Sequence, residues 1–365
     1  MTDTNIREYE TTVSVRDFGA VGDGVQDDTP AFQAALDAVK DKEGAVTVPA
    51  GTYLCGQLQL YAGCALIGSS AWNAEEPSGS RILFRGAPED RCQLNAGDCY
   101  GAVIHGLCLE GRHLGKDVIG IRWHNEQSRV EDTMHLESCR ISDYTGDAIS
   151  IDGMWCDSVR HCLVTGNDGW GIWLNGADVF ITDNTFSYNG KGGMCGQSCN
   201  AMTMVGNFFE YNRGPGMLYK SGHVVHFMGN TYVGNGGPGL VVTERGLLNN
   251  CNAVLGNVFL NNGTGDPAIE GHDSHAHFHD VLNYTFLGNV FLSGEKNPAY
   301  AISHEYTWAY ICTNNVMNGA MTEAAFRDLG GHNGFDCFEH NPGVPAASSN
   351  GGWKRWDDGE RSEHR

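Results

Sequence analysis

From about residue 100 the chain alternates short apolar stretches with turns rich in Gly and Asn, and the alternation repeats about every 23 residues. One signature is a strand-ending Asn followed by an aromatic or aliphatic neighbour. It recurs at Asn184, Asn207, Asn230, Asn257, Asn289 and Asn315, in steps of 23, 23, 27, 32 and 26 residues. Counting back by 23 reaches His161 and Ser138, with Cys162 and Cys139 one place further on. The second signature is a Gly-rich turn opening an alternating strand. Its copies are GDAISID (146–152), GWGIWLN (169–175), GGMCGQ (192–197), GPGMLYK (214–220) and GPGLVVT (237–243), and PAIEGH (267–272) and YAISHE (300–305) continue it less regularly. A period of 22 to 24 residues with two or three short strands is too short for a propeller blade and lacks a leucine-rich consensus. It fits one coil of a single-stranded right-handed parallel β-helix, a solenoid of about 10–12 coils. Equivalent residues of successive coils then stack about 4.8 Å apart, and Asn at the turns can form hydrogen-bonded ladders.

Ahead of the repeat, Thr29 and Pro30 read as N-cap and first helical residue. Ala31, Phe32, Ala35, Leu36 and Val39 follow at helical spacing, predicting an amphipathic helix over Pro30 to Lys40. A short strand follows at Val46–Val48, then a turn at Pro49–Gly51. These elements divide the chain into a β-helix domain over 1–342, with a cap segment at about 13–54, and a polar tail over 343–365 in which Trp353 and Trp356 could pack on the last coil.

Composition sharpens this picture. The 50 glycines would be excessive for an ordinary domain, but repeated corners needing positive φ account for them. Neither collagen nor disorder fits, because there is no Gly-X-Y period and 41% of residues are hydrophobic. The net charge of −21 disfavours nucleic acid and anionic membranes as partners. No apolar run is long enough to span a bilayer. The start of the chain has no basic-then-apolar leader, so the sequence reads as cytoplasmic, or as the mature form of a secreted protein. Thirteen scattered cysteines without a CxxC pair read as reduced, buried fillers.

The segment VRDFGAVGDGVQDDTPAFQAALDA, followed by VTVPAGTYL, resembles the entry segment of the pectate-lyase-like right-handed β-helix superfamily. The resemblance implies an N-terminal cap and an all-β solenoid. It leaves the chemistry open, because the superfamily includes glycoside hydrolases, polysaccharide lyases, uronan C5-epimerases, fructotransferases and phage tailspikes. The three-coil pattern of the polygalacturonases is not kept. Asp147 and Asp168 stand as single acids and Lys191 replaces the His.

On a β-helix, chemistry belongs on the outer face of a sheet. With Ile149, Ile172, Met194, Met217, Leu240, Ile269 and Ile302 facing inward, the outward column reads Asp152, Asn175, Gln197, Lys220, Thr243, His272 and Glu305. A solvated surface would show such a column too, so the carboxylates decide. Glu244 and Asp273 follow Thr243 and His272, and Glu270 lies beside them. Glu244, Glu270, Asp273 and His272 are therefore the candidate acid–base set, since glycosidases need two nearby carboxyls. Asp152, Trp173, Asn175, Gln197, Lys220, His304 and Glu305 are the candidate substrate-binding residues. Trp173 should point outward as a sugar platform, with Trp123, Trp155, Trp170, Tyr219 and Trp308 near corners. In GHDSHAHFHD (271–280), His275, His277 and His279 would share one face of a strand and could bind a metal or transfer protons. No metal ligand set is assigned.

The expected function is a glycoside hydrolase or fructotransferase-like transglycosylase acting through a carboxylate pair on an oligo- or polysaccharide. The alternatives are a polysaccharide lyase or uronan C5-epimerase, and a non-catalytic glycan-binding or tailspike-like protein. No cofactor is expected, except Ca²⁺ if the substrate is a uronan. The chain should act as a monomer or homotrimer.

Overall fold

A computed structural model describes residues 9–69, 77–125, 131–243, 249–250, 252–317, 319–330 and 337–342. Glu244, Trp353 and Trp356 lie outside the described residues, as does the tail from 343. The chain is an all-β parallel solenoid of about eleven turns. It divides into two compact units, Met1–Ile172 and Trp173–Arg365. No helix among the described residues is long and apolar enough to cross a membrane.

The first unit opens with strands Thr12–Ser14 and Asp23–Asp27, then helix Thr29–Val39. The helix starts one residue earlier than its Pro suggests. Asp28 is the N-cap, and its carboxylate is spent on the backbone N–H groups of Val21 and Gly22 at 2.7 and 3.1 Å, so it caps the preceding turn instead. The apolar stripe is as expected: Ala31, Phe32, Ala35, Leu36 and Val39 are buried, with the Phe32 ring edge-on to Tyr53 at 5.1 Å. The coils follow. Strand Ile119–His124 pairs in parallel with Ile149–Trp155, so that Ile121 meets Ile149 and His124 meets Asp152.

The second unit repeats the same coil around an aromatic column. The rings of Phe186, Phe209, Tyr232, Phe259 and Phe291 stack at 5.1, 5.2, 4.9 and 4.9 Å, close to the strand spacing. Two Asn ladders flank it. In the first, each amide from Asn184 through Asn207, Asn230, Asn257, Asn289 and Asn315 to Asn341 donates to the next Oδ1 at 2.9–3.1 Å. The second runs through Asn189, Asn212, Asn235 and Asn262 at 2.8–3.0 Å. In the first unit Cys162 takes the place of a ladder Asn. Its Sγ donates to the carbonyl of Leu136, 26 residues back, as Asn207 Nδ2 donates to Ile181. The register there is therefore one place off the expected His161.

Glycine explains only part of the corners. In the first ladder the residue before each Asn has positive φ, and it is Gly at 206, 229, 256 and 288 but Asp183, Asn314 and His340 toward the ends of the run. A different glycine column is needed for closeness. A Cβ on Gly193 would lie 2.5 Å from the carbonyl oxygen of Gly216, and one on Gly216 would lie 2.6 Å from that of Gly239. Cys55, Cys64, Cys92, Cys99, Cys108, Cys139, Cys162, Cys195, Cys199 and Cys312 are buried, and Cys156 is half-buried.

Candidate functional site

The site lies in the second unit, where the expected register breaks. Leu240 pairs with Ala276 and Ala276 with Ile302, so the strand of this coil is Ser274–His279. The segment 267–272, expected to be that strand, forms turns instead. Ile269 is not an inward column residue and His272 is not an outward one. The true outward columns are Cys195, Leu218, Val241, His277, Ser303 and Arg327, beside Gln197, Lys220, Thr243, His279 and Glu305.

The displaced segment lies back over this face. Val241 and Thr243 point outward, yet they are buried. Glu270 reaches down from the segment and accepts hydrogen bonds on Oε1 from Thr243 Oγ1 at 2.9 Å and His279 Nδ1 at 3.0 Å. His277 Nε2 faces the same oxygen at 3.9 Å, beyond hydrogen-bond distance. Next in line, Gly271 has φ +71, and a Cβ there would lie 2.4 Å from His277 Cβ, so the segment rests directly on that side chain.

A second set of contacts holds His277 from behind. Its Nδ1 lies 3.2 Å from Ser303 Oγ, which accepts from Arg327 Nε at 3.0 Å. Arg327 also donates to the His272 carbonyl at 3.1 Å and lies over the Tyr300 ring at 5.0 Å. On the other side, Asp280 Oδ2 stands 3.7 Å from His279 Nε2, and the Tyr306 ring stacks on His279 at 6.1 Å.

The electrostatics follow from this packing. Burial pushes the Glu270 carboxyl up, but the hydrogen bonds from His279 and Thr243 and the nearby His277 outweigh it and hold it below the ordinary Glu value. Burial pushes His277 down to about 4 despite the Glu270 charge beside it. The packing thus favours the ionised form of the Glu270 carboxyl and the neutral form of the His277 imidazole.

The other candidates divide. Lys220 and Glu305 stand in the same outward column as His279, and Gln197 continues it; all three are half-buried. Trp173 and Asn175, on strand Trp170–Ala177, are half-buried as well. Asp152 belongs to the first unit, half-buried in register with His124. His304 is not a surface residue. It alternates with Ser303 and Glu305, so it points inward, fully buried, with Nδ1 3.1 Å from Thr307 Oγ1 and its ring edge-on to Tyr310 and Phe326. His275 also leaves the expected shared face. Pairing skips it between Ser274 and Ala276, and its ring turns into the core against Phe259 and Phe291, 2.9 Å from the Ala320 carbonyl. Asp273 pairs with His272 at 3.7 Å rather than with the Glu270 cluster. Trp123 and Tyr219 are core residues, the latter donating to the Cys199 carbonyl at 2.6 Å, so neither is a sugar platform. Sequence reasoning named neither Ser303 nor Arg327 as a site residue. The signal was present, because both follow His277 in register once the strand is placed correctly.

Comparison with known proteins places the fold. The model described as rhamnogalacturonase A/epimerase, pectate lyase-like, matches residues 12–219. The chain belongs to this pectate-lyase-like family. A second model, described as periplasmic copper-binding protein (NosD), matches residues 124–323. Among curated relatives, mannuronan C5-epimerase AlgE5 of Azotobacter vinelandii is 42% identical over 72 residues, which is 19% of this chain and 7% of that protein. The match therefore spans only a small part of that relative. Among solved structures, the A-module of A. vinelandii mannuronan C-5 epimerase AlgE4 aligns with TM-score 0.64 at 19% identity, covering 88% of this chain and all of that one. DFA-IIIase from Arthrobacter chlorophenolicus A6 aligns with TM-score 0.69 at 15% identity, covering 89% and 93%. The pectate-lyase-like match ends before Glu270, His277 and His279, whereas the NosD match runs across all three.

Proposed function

We propose that the protein is a carbohydrate-active enzyme that holds an oligo- or polysaccharide along the outer face of this sheet. The observation that carries the reading is the convergence of Glu270, His277 and His279 on one outward face. A hydrogen-bonded carboxylate–imidazole pair is an arrangement that orients a base for proton transfer. Lys220 and Glu305 extend the same column on either side, giving hydroxyl-binding groups spaced along the coil axis as a glycan chain requires. The fold is shared with a mannuronan C-5 epimerase and a DFA-IIIase, which supports the substrate class.

The reaction this arrangement serves best is cleavage of a glycosidic bond. His279, oriented by Glu270, takes a proton from water or a sugar hydroxyl, and a second acid on the face gives one to the leaving oxygen. Glu305, in register with His279, is that acid in this reading. A lyase or C5-epimerase reading is favoured by a separate observation. Arg327 and Lys220 bring positive charge to this face, which a uronate carboxylate would need. The test is turnover of neutral fructans, glucans and uronans by the parent protein and Glu270→Gln. Reducing ends or transferred sugars support cleavage, and an unsaturated ultraviolet-absorbing product supports elimination. Glycan binding without turnover of any class would sink the enzymatic reading.

A further inference from the structure

The same three side chains have a second property that does not depend on the carbohydrate reading. The available donor atoms of Glu270, His277 and His279 all lie within 4.8 Å of one another. A tetrahedral ion bound at about 2.0–2.2 Å holds its donors about 3.3–3.6 Å apart. Glu270 Oε1 lies 3.0 Å from His279 Nδ1 and 3.9 Å from His277 Nε2, values on either side of that separation. The separation of the two imidazole nitrogens is bounded at 4.8 Å, so closing the set draws them together by up to about 1.5 Å.

The support around the donors is built rather than incidental. His277 is 3% exposed, and its Nδ1 is engaged by Ser303. Ser303 is fully buried and fixed in turn by Arg327, whose Nε–H can only donate. In the ligating tautomer Nδ1–H donates to Ser303 Oγ, whose second lone pair takes the Arg327 Nε–H, and the Nε2 lone pair is turned toward Glu270 across a gap too long for a hydrogen bond. A ligating imidazole held through its other nitrogen by a buried partner is the usual way a metal-binding His is oriented. His277 and His279 are two apart on one strand, so the pleat places both on one face. Glu270 comes from the overlying segment and closes the third side, while the solvent side remains open.

We propose that Glu270, His277 and His279 form a three-donor site for a divalent transition ion of the zinc class, with a further position open to the outer face. Two imidazole nitrogens and one carboxylate suit that class. A hard cation such as Ca²⁺ or Mg²⁺ takes mostly oxygen donors, six or more for Ca²⁺. When bound, such an ion would supply a Lewis acid at this face and would take the place of His279 as base, because a coordinated imidazole cannot accept the proton. Ser303 and Arg327 are positioning residues, acting through His277.

The test is calorimetric titration of the chelator-treated full chain with Zn²⁺, with Ca²⁺ as a parallel probe and Co²⁺ binding followed by visible absorption. The expected result is one Zn²⁺ per chain with micromolar or tighter affinity, little Ca²⁺ binding, and a tetrahedral Co²⁺ band. Glu270→Gln and His279→Gln should each weaken Zn²⁺ at least about tenfold, and Ser303→Ala should cost about 10–100-fold. His279 and Glu270 are partly exposed, so their variants keep the test valid if a His277 variant fails to fold. Absence of Zn²⁺ binding, or binding that persists in the Glu270→Gln/His279→Gln double variant, overturns the site. Zn²⁺ binding without glycan turnover supports the site and sinks the enzymatic reading alone.

Discussion

Glu270 and His279 meet at 3.0 Å although they belong to different layers of the same coil. His279 ends a strand of the sheet, and Glu270 sits in the segment that lies over it. The contact forms because the chain enters this strand through an irregular turn instead of the short corner used elsewhere. The longer passage leaves residues free to lie back across Val241 and Thr243 and to bring a carboxylate to a column that has none of its own at that level.

The first prediction follows from that contact. Glu270→Gln keeps the size and the acceptor toward Thr243 but removes the charge that orients His279. If His279 takes a proton in the reaction, turnover should fall about 10²- to 10⁴-fold, the usual contribution of such a group. The carboxylate is partly exposed, so the melting temperature should change little. Unaltered turnover on a substrate the parent consumes would remove Glu270 from the reacting group.

Gly271 offers a complementary change that leaves every functional group in place. Its φ of +71 disfavours any side chain, and a Cβ would stand 2.4 Å from His277 Cβ. Gly271→Ala should lift the segment and draw Glu270 away from both imidazoles. Activity is expected to fall nearly as far as in Glu270→Gln, while thermal stability drops only slightly because the segment is a surface turn. Equal activity in parent and variant would show that the height of the segment above the sheet is unimportant.

Much of this architecture could be read from the repeat. The 23-residue step placed Lys220, Thr243 and Glu305 correctly in one column and marked the first Asn ladder. The failure came at one coil. PAIEGH looks like the Gly-led alternating strands before it, and period-two patterning cannot distinguish it from SHAHFH. The pairing that decides between them is made with Leu240 and Ile302, on neighbouring coils, and no local pattern records it. Once the strand slips, His272 moves into the turn and His279 takes its column position. The inward turns of His275 and His304 had different causes. His304 follows from simple alternation with Ile302, whereas His275 depends on a local skip in pairing and on the aromatic space between Phe259 and Phe291. Glu270 was found for a related reason, an acid next to the break, and His277 and His279 were singled out separately, but their pairing with Glu270 was not.

The Asn ladders yield a stability prediction. Asn230 is fully buried; its amide donates to the Met204 carbonyl at 3.1 Å and to Asn257 Oδ1 at 3.1 Å, and its Oδ1 accepts from the backbone N–H and the amide of Asn207. Asn230→Ala strands the groups on both sides, at about 1–3 kcal/mol for each buried group left unpaired. A loss of at least about 3 kcal/mol in denaturant unfolding is expected. Asn230→Asp, which keeps the acceptor but has no amide to donate, should also destabilise. A change below about 1 kcal/mol in both would mean that water replaces the ladder.

Asp157 provides the pH-dependent prediction. It is fully buried in the first unit, with Oδ1 accepting from the Met134 N–H at 3.1 Å and Oδ2 without a partner. Burial raises its carboxyl to about 8, the Met134 bond opposes this, and the neighbouring Asp132 adds to it. In the unfolded chain the ordinary value is 3.8. A group whose folded value is raised contributes fully below the unfolded value and loses that contribution as pH rises through the folded one. The parent protein should therefore lose stability relative to Asp157→Asn between about pH 4 and pH 8, and the gap should level off above that range. At about 1.4 kcal/mol per unit the full difference is at most about 5–6 kcal/mol. Parallel urea melts at pH 5, 7 and 9 decide the matter, and a gap that stays constant across the three would mean that Asp157 is ionised in the folded protein throughout.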